Sequence, residues 1–475
     1  MITTIPITAG NATTGLKQAD SRRLVNMYSE PTMGRVDYAV KKRAGYGLEL
    51  TLSGLWAIRG LYETSTNRLF GIRGSSLYEI DLDNVTTLHG SIGSTFGPVS
   101  MTDNGIDLVI ADGSTLYTFN MDTNTLEAIT DPDAPSNTPL VDYIDGYVFG
   151  FNPDASEIGE YQYSDPSNVS TWSNLDKTYA EKSPDKLISL IANNGDLWLF
   201  GSRSYEVHGN TGAALNTWAP IGGANKDIGC AATYSVAKLG GSVFWLGASK
   251  EGHAQVFMSV GYGAQKISSF NEDSRISEID DISDAIGFTY QYKGHSFYML
   301  TFQSGNLTLV YDIVTNTWHD ETWYNSILNI QEKSRVFCHA FFNGTNYFGD
   351  YANGNIYTIS EDTYTDNGNP IICDMDFPYI DNQGQPVTFY SIILDVLTGV
   401  GLVGQGEPKL QYCHSDNGVN YSHWRDVGIG AIGEYFKRVK INKLGMARHG
   451  KRFFRIRYSQ PTKFLVMNKC IGEVG

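Results

Sequence analysis

The chain has 475 residues, 18% charged and 12% aromatic, with 50 glycines and a formal net charge of −16. That length buries a large core and predicts two to four domains, or fewer where one repeat architecture runs long. No apolar run approaches bilayer length, which excludes a membrane-spanning helix, and the acidic balance argues against a body that grips nucleic acid.

The opening Met1-Ile2-Thr3-Thr4-Ile5-Pro6 has no basic stretch followed by an apolar one, so no secretion signal is expected there. No long segment places apolar residues at helical spacing. Glycine-rich turns between aromatic and β-branched runs predict short antiparallel strands instead. Residues 1–55 precede the first full repeat and are placed as an N-terminal arm, in position to supply a strand that closes the repeats on themselves.

One strand pattern then recurs, with aromatic residues at Tyr78, Tyr117, Tyr161, Tyr205, Phe257, Tyr311 and Tyr357. The steps between them resemble the length of propeller blades, each a four-stranded sheet. Apolar runs precede most of these strands, such as Leu197-Trp198-Leu199-Phe200 and Val243-Phe244-Trp245, and suit inner strands stacked between blades. Asp122-Thr123-Asn124-Thr125 and Val314-Thr315-Asn316-Thr317 read as related tight turns. The predicted fold is all-β, a propeller of about seven blades over residues 56–366. The repeat stops near Asn367-Gly368-Asn369-Pro370, and residues 367–475 read as an additional C-terminal β domain.

The candidate sites are weak as chemistry. Gly399–Gly404 and Gly428–Gly433 match a dinucleotide fingerprint but lack the following helix that would meet a phosphate. Ser415-Asp416-Asn417-Gly418 through Trp424 resembles an Asp-box hairpin, in which the aspartate steadies a turn and the aromatic residue packs beneath it. Glu272, Asp273, Glu278, Asp280, Asp281 and Asp284 read as a solvated loop or short helix rather than as a glycosidase pair. Asp374-Met375-Asp376 lacks the further oxygens of a calcium loop. The nine histidines and five scattered cysteines form no metal or nucleophile pattern, so no catalytic, cofactor or metal residue is assigned. The odd cysteine count fits assembly in a reducing cytosol.

Charge is uneven. Residues 437–475 carry eleven basic residues and one acidic, a net +10, against −26 for the rest. Arg452-Phe453-Phe454-Arg455-Ile456-Arg457-Tyr458 alternates as a strand with one buried face. Arg452, Arg455 and Arg457 are the candidate interface, read as a dock for an acidic neighbour ahead of a DNA contact.

Arg22-Arg23-Leu24-Val25-Asn26-Met27-Tyr28-Ser29-Glu30-Pro31, together with a central block, carries a family resemblance. That block runs through Ser183-Pro184-Asp185, Tyr205-Glu206-Val207, Ile228-Gly229-Cys230-Ala231 and Phe244-Trp245-Leu246-Gly247. The chain resembles the packaged-DNA stabilisation proteins, also described as tail accessory, hub or nozzle proteins, of short-tailed bacteriophages. The resemblance is strong from about Gln18 to Ser269. It implies a non-enzymatic structural protein of the virion tail, assembled in the host cytoplasm. Such proteins form a ring, usually of six copies, below the portal and head-tail adaptor. The ring extends the DNA channel, stabilises packaged DNA without sequence-specific binding, and mounts spikes, fibres or a needle. The competing reading is a propeller-type glycoside hydrolase or depolymerase of a phage tail.

Overall fold

The computed structural model describes residues 2–6, 8, 10–11, 22–32, 38–213, 217–248, 253–401, 404, 406–467 and 469–475. Each of the seven recurring aromatic residues lies on the third strand of its own antiparallel blade, that of blade six belonging to a larger sheet. Blade one comprises Ile58–Glu63, Leu69–Arg73, Ser76–Ile80 and Thr86–Ser91. Blades two, three and four follow the same order, starting at Ser100–Asp103, Asp142–Ile144 and Leu187–Asn193. In blade five, Gly229–Cys230 and Ala237–Leu239 both pair with Ser242–Ala248. Blade six starts at Ile286–Tyr292. Blade seven has three strands from Val336–Phe342 onward, and its fourth, Gly45–Thr51, comes from the N-terminal segment. First strands of neighbouring blades touch, except that blade four's first strand meets the Thr233–Ser235 turn of blade five, and blade seven's touches blade one's, so the circle closes. The fold is a seven-bladed β-propeller.

The second strand of most blades is apolar because both of its faces are covered. Phe70 and Ile72 of blade one share a core with Leu108, Ile110 and Phe119 of blade two. Trp198 and Phe200 of blade four meet Trp245 of blade five in the same way. Burying such side chains contributes about 1.5–3 kcal/mol each. The two related turns behave alike: Asn124 and Asn316 sit at φ 54° and 53°, a left-handed conformation that asparagine tolerates. The helix Phe270–Ser277 lies between blades five and six and opens on a capping box formed by Ser269 and Glu272.

The C-terminal part is a second β unit. One of its sheets runs Ile2–Pro6, Lys469–Val474, Val387–Leu394, Val439–Ala447. The other contains Cys373–Asp376, Lys451–Tyr458, Lys409–Ser415 and Arg425–Gly428. Phe389, Ile392 and Ile441 from the first share a core with Met375, Tyr412, Phe454 and Ile456 from the second.

The N-terminal segment binds both units. Leu24–Val25 pairs with Asp374 and Met375 on one side and with Asp320 of blade six on the other. One sheet therefore runs from the propeller into the C-terminal unit. Met27–Pro31 pairs with Tyr38–Lys42, which pairs with Leu465–Met467. Successive side chains of a strand point to opposite faces. Met27 accordingly enters the C-terminal core, while Tyr28 enters the core between blades six and seven.

Candidate functional site

The most concentrated polar chemistry lies where the arm, the propeller and the C-terminal unit meet. Asn26 is buried at φ 54°. Its Nδ2 donates to Thr322 Oγ1 and to the Ile372 carbonyl, both at 2.8 Å. Its Oδ1 accepts from Arg43 Nε at 3.0 Å and from the Thr322 amide at 2.9 Å. Every hydrogen-bonding position of the amide is used, which is what lets a polar side chain stay buried there.

Arg43 is buried too. Its two Nη atoms donate to Asp366 at 2.8 and 2.6 Å in a fork, with Glu321 at 3.8 Å. Burial works against the guanidinium charge, but Asp366 and Glu321 outweigh it and hold Arg43 above its ordinary value. Tyr46 Oη and Ser334 Oγ both donate to Glu321, at 2.8 and 2.7 Å. Nearby, buried Asp320 accepts from Arg275 at 2.7 and 2.9 Å and from Arg23 at 2.9 Å. Burial alone raises a carboxyl; Arg275 and Arg23 reverse that and hold Asp320 well below the carboxylate range. Glu30 of the arm lies 3.3 Å from His295 Nε2, whose Nδ1 is 2.8 Å from Asp312. His319, beside Tyr28 and Phe297, is driven down to about 4 by burial.

The three candidate interface arginines sit on Lys451–Tyr458, a strand as expected, but each faces a partner from its own chain. Arg452 is buried, pairs with Asp416 at 2.6 and 3.0 Å, and donates to the Leu444 carbonyl. Arg455 forks onto Asp376, and Arg457 onto Asp374 at 2.6 and 2.8 Å. The register explains the match: Arg455 lies opposite Asp376 and Arg457 opposite Asp374 across one antiparallel pair. Aromatic rings cover the guanidiniums, Phe389 over Arg452, Tyr421 over Arg455 and Trp424 over Arg457. The Asp-box-like loop thus clamps the basic strand. Its turn is steadied by Asn417, which accepts from the Val419 and Asn420 amides, while Asp416 is committed to Arg452.

Two family descriptions match in succession. "Bacteriophage P22 Gp10, beta-propeller" matches residues 3–364, and "Bacteriophage P22 Gp10, beta-sandwich" matches residues 373–471. The chain belongs to the bacteriophage P22 Gp10 family. It is thereby a phage structural protein of the kind that stabilises packaged DNA. No curated protein matches it. Among solved structures, it is similar to the WD40 β-propeller domain of Doa1, at 10% identity over 66% of this chain and 97% of that one, TM-score 0.42. A chain of the mitotic checkpoint complex is similar at 8% identity, 70% and 94% coverage, TM-score 0.43. PorZ of Porphyromonas gingivalis is similar at 12% identity, 66% and 38% coverage, TM-score 0.39.

The motifs of this Gp10-family chain that drew attention in the sequence are architectural. Asp185 accepts from the Arg203 and Ser204 amides at 2.6 and 3.0 Å and lies over Gly201, where a Cβ would come within 2.4 Å of its carboxylate. A Cβ on Gly229 would meet the Arg203 backbone nitrogen at 2.3 Å. The acidic stretch is spent on local structure: Glu272 caps the helix, Asp273 pairs with Lys266 at 2.5 Å, and Asp284 accepts from the Gln303 and Ser304 amides. No group of three or more His, Cys, Asp or Glu among the described residues is placed to hold a metal ion. The junction residues Asn26, Arg43 and Asp320 were not singled out individually by sequence reasoning. Only Asn26 carried a signal, through its place in the arginine-rich opening motif.

Proposed function

We propose that this protein is a non-enzymatic wall subunit of a short-tailed phage tail. In this reading about six copies form a ring below the portal and head-tail adaptor. The ring extends the DNA channel, retains packaged DNA and mounts spikes, fibres or a needle. Assembly takes place in the host cytoplasm, and the mature protein resides in the virion. The observation that carries this is the ordered match of both Gp10 segments, 3–364 and 373–471, to one chain. We divide the chain into an arm, 1–55, a propeller, 56–366, and a C-terminal domain, 367–475.

The physics supports a wall. The arm welds propeller and C-terminal unit through shared sheets and a buried ionic junction, so a load on one is passed to the other. An acidic body does not hold passing phosphate. Arg455 and Arg457, each about a third exposed, can still turn an outer edge toward an acidic neighbour. Arg452 serves such an interface only by holding its strand.

Imaging of purified particles tests the reading. A ring of this chain beneath the portal is expected; its absence from the tail, or a place elsewhere in the virion, sinks it. Incubation of the pure protein with host capsular or lipopolysaccharide sugars is expected to release no reducing ends. Release that disappears on substitution of one carboxylate would make the protein a depolymerase.

A further inference from the structure

The basic C-terminal segment has exposed charges outside ion pairs, and three of them lie on or beside another strand from the one first suspected. Lys437 pairs with Glu407, Lys440 with Glu473, and Arg452, Arg455 and Arg457 with aspartates. Arg438, Lys443 and Arg448 are exposed and make no ion pair among the described residues. All three lie on or directly beside Val439–Ala447, the last strand of its sheet. Phe436, fully exposed, and the exposed Tyr435 stand at the head of that strand. Their loop is held in place: Thr398 Oγ1 donates to the Tyr435 carbonyl at 2.8 Å, and the Tyr435 ring covers Gly399.

A second exposed face, on the propeller, has the opposite charge. Leu48 on the last strand of blade seven and Leu82, Val85 and Leu88 on the outer part of blade one are all exposed. Glu49, Asp81 and Asp83 stand among them, exposed and without an ion pair among the described residues. The two blades are joined there, since Asn84 Nδ2 donates to Glu49 at 2.6 Å.

We propose that these two faces meet between copies: the basic, aromatic edge around Val439–Ala447 of one copy docks on the acidic, apolar face of blades seven and one of the next. The inference rests on the ring reading above and names its contact. Cations on a sheet edge also serve to prevent strand pairing, but that role gives no reason for exposed Phe436 and Tyr435 beside them. Aromatic residues with arginine are the composition of interface cores. Two different complementary patches on one chain make a head-to-tail contact, which generates rings when the rotation closes.

Three variants test this in particles produced by complementation. Arg438→Glu with Lys443→Glu and Arg448→Glu is expected to lower the copies of this chain per particle by about tenfold or more, because like charges then face each other. Glu49→Lys with Asp81→Lys and Asp83→Lys is expected to do the same. The sixfold combination restores opposite charges and is expected to recover incorporation. The basic triple alters only exposed side chains and should melt like the wild type; the acidic triple also removes the Asn84–Glu49 bond and the Asp81 turn bonds, so its incorporation is judged against the sixfold variant, which carries the same losses. Phe436→Ala, which removes only a solvated ring, should also reduce incorporation. Normal incorporation of either triple variant overturns the proposal, as does a sixfold variant no better than its parents. A defect confined to the basic triple assigns that face to another virion component and overturns the second-copy occupant. Absence of the wild-type chain from tails would instead defeat the ring reading itself.

Discussion

Replacing Arg43 by alanine is expected to destabilise the protein by about 3–5 kcal/mol, the cost of leaving buried charges without their partner. Asp366 and Glu321 would keep their burial and lose the guanidinium that balances them. Asn26 Oδ1 would lose one of its two donors. The damage falls on the segment that joins propeller and C-terminal unit, so the arm should open first. Limited proteolysis and urea unfolding of wild type and variant give the measurement. Cleavage within the first 55 residues should accelerate, with the unfolding midpoint lowered. An unchanged midpoint would show that the junction is not the bond between the two units. Arg43→Lys should rescue little, because an ammonium cannot fork onto Asp366 while donating to Asn26.

Acidification is the second large effect. His319 and His339 are held down to about 4 in the fold, chiefly by burial. In the unfolded chain an imidazole takes its proton near 6.5. Between those values the unfolded state binds more protons than the folded one, so stability is complete above about pH 6.5 and falls as pH drops toward about 4. His319 alone should account for on the order of 2–3 kcal/mol across that window. His295 runs the other way. Burial lowers it, but Asp312 and Glu30 reverse this and raise it, so its contribution is full at low pH and is lost as pH rises through its folded value. Asp320 is held so low that its contribution persists through the whole window. His319→Phe keeps a ring against Tyr28 and Phe297 and removes the titration. Urea midpoints at pH 7 and pH 4 should differ less for that variant than for the wild type; an equal difference in both would mean the acid sensitivity lies elsewhere.

The propeller was legible in the sequence because its signal is local and repeated. Tyr78, Tyr117, Tyr161, Tyr205, Phe257, Tyr311 and Tyr357 occupy one structural position seven times, and the apolar run before most of them is the strand covered on both faces. The junction was less legible because its pairs are remote in the chain: Arg43 reaches Asp366, and Arg23 reaches Asp320. Composition shows such residues only as charge. The basic strand is the instructive case. Arg455-Ile456-Arg457 alternates as a strand does, and so does Asp374-Met375-Asp376. Two alternating segments of opposite sign are the signature of neighbouring antiparallel strands. Reading each for its own chemistry, one as a dock and the other only against a calcium loop that it fails to match, hid the match between them.

Because Ile2–Pro6 pairs with Lys469–Val474, Tyr38–Lys42 with Leu465–Met467, and Gly45–Thr51 with Asn355–Ser360, these strands have partners that are made much later in the chain. A ribosome adding about 5–20 residues per second needs tens of seconds to supply them. Through that interval Gly45–Thr51 lacks the blade-seven strand it pairs with, and Arg23 lacks Asp320. Closure of these sheets therefore waits for the later strands, and a product truncated before residue 465 leaves Ile2–Pro6 and Tyr38–Lys42 without those partner strands.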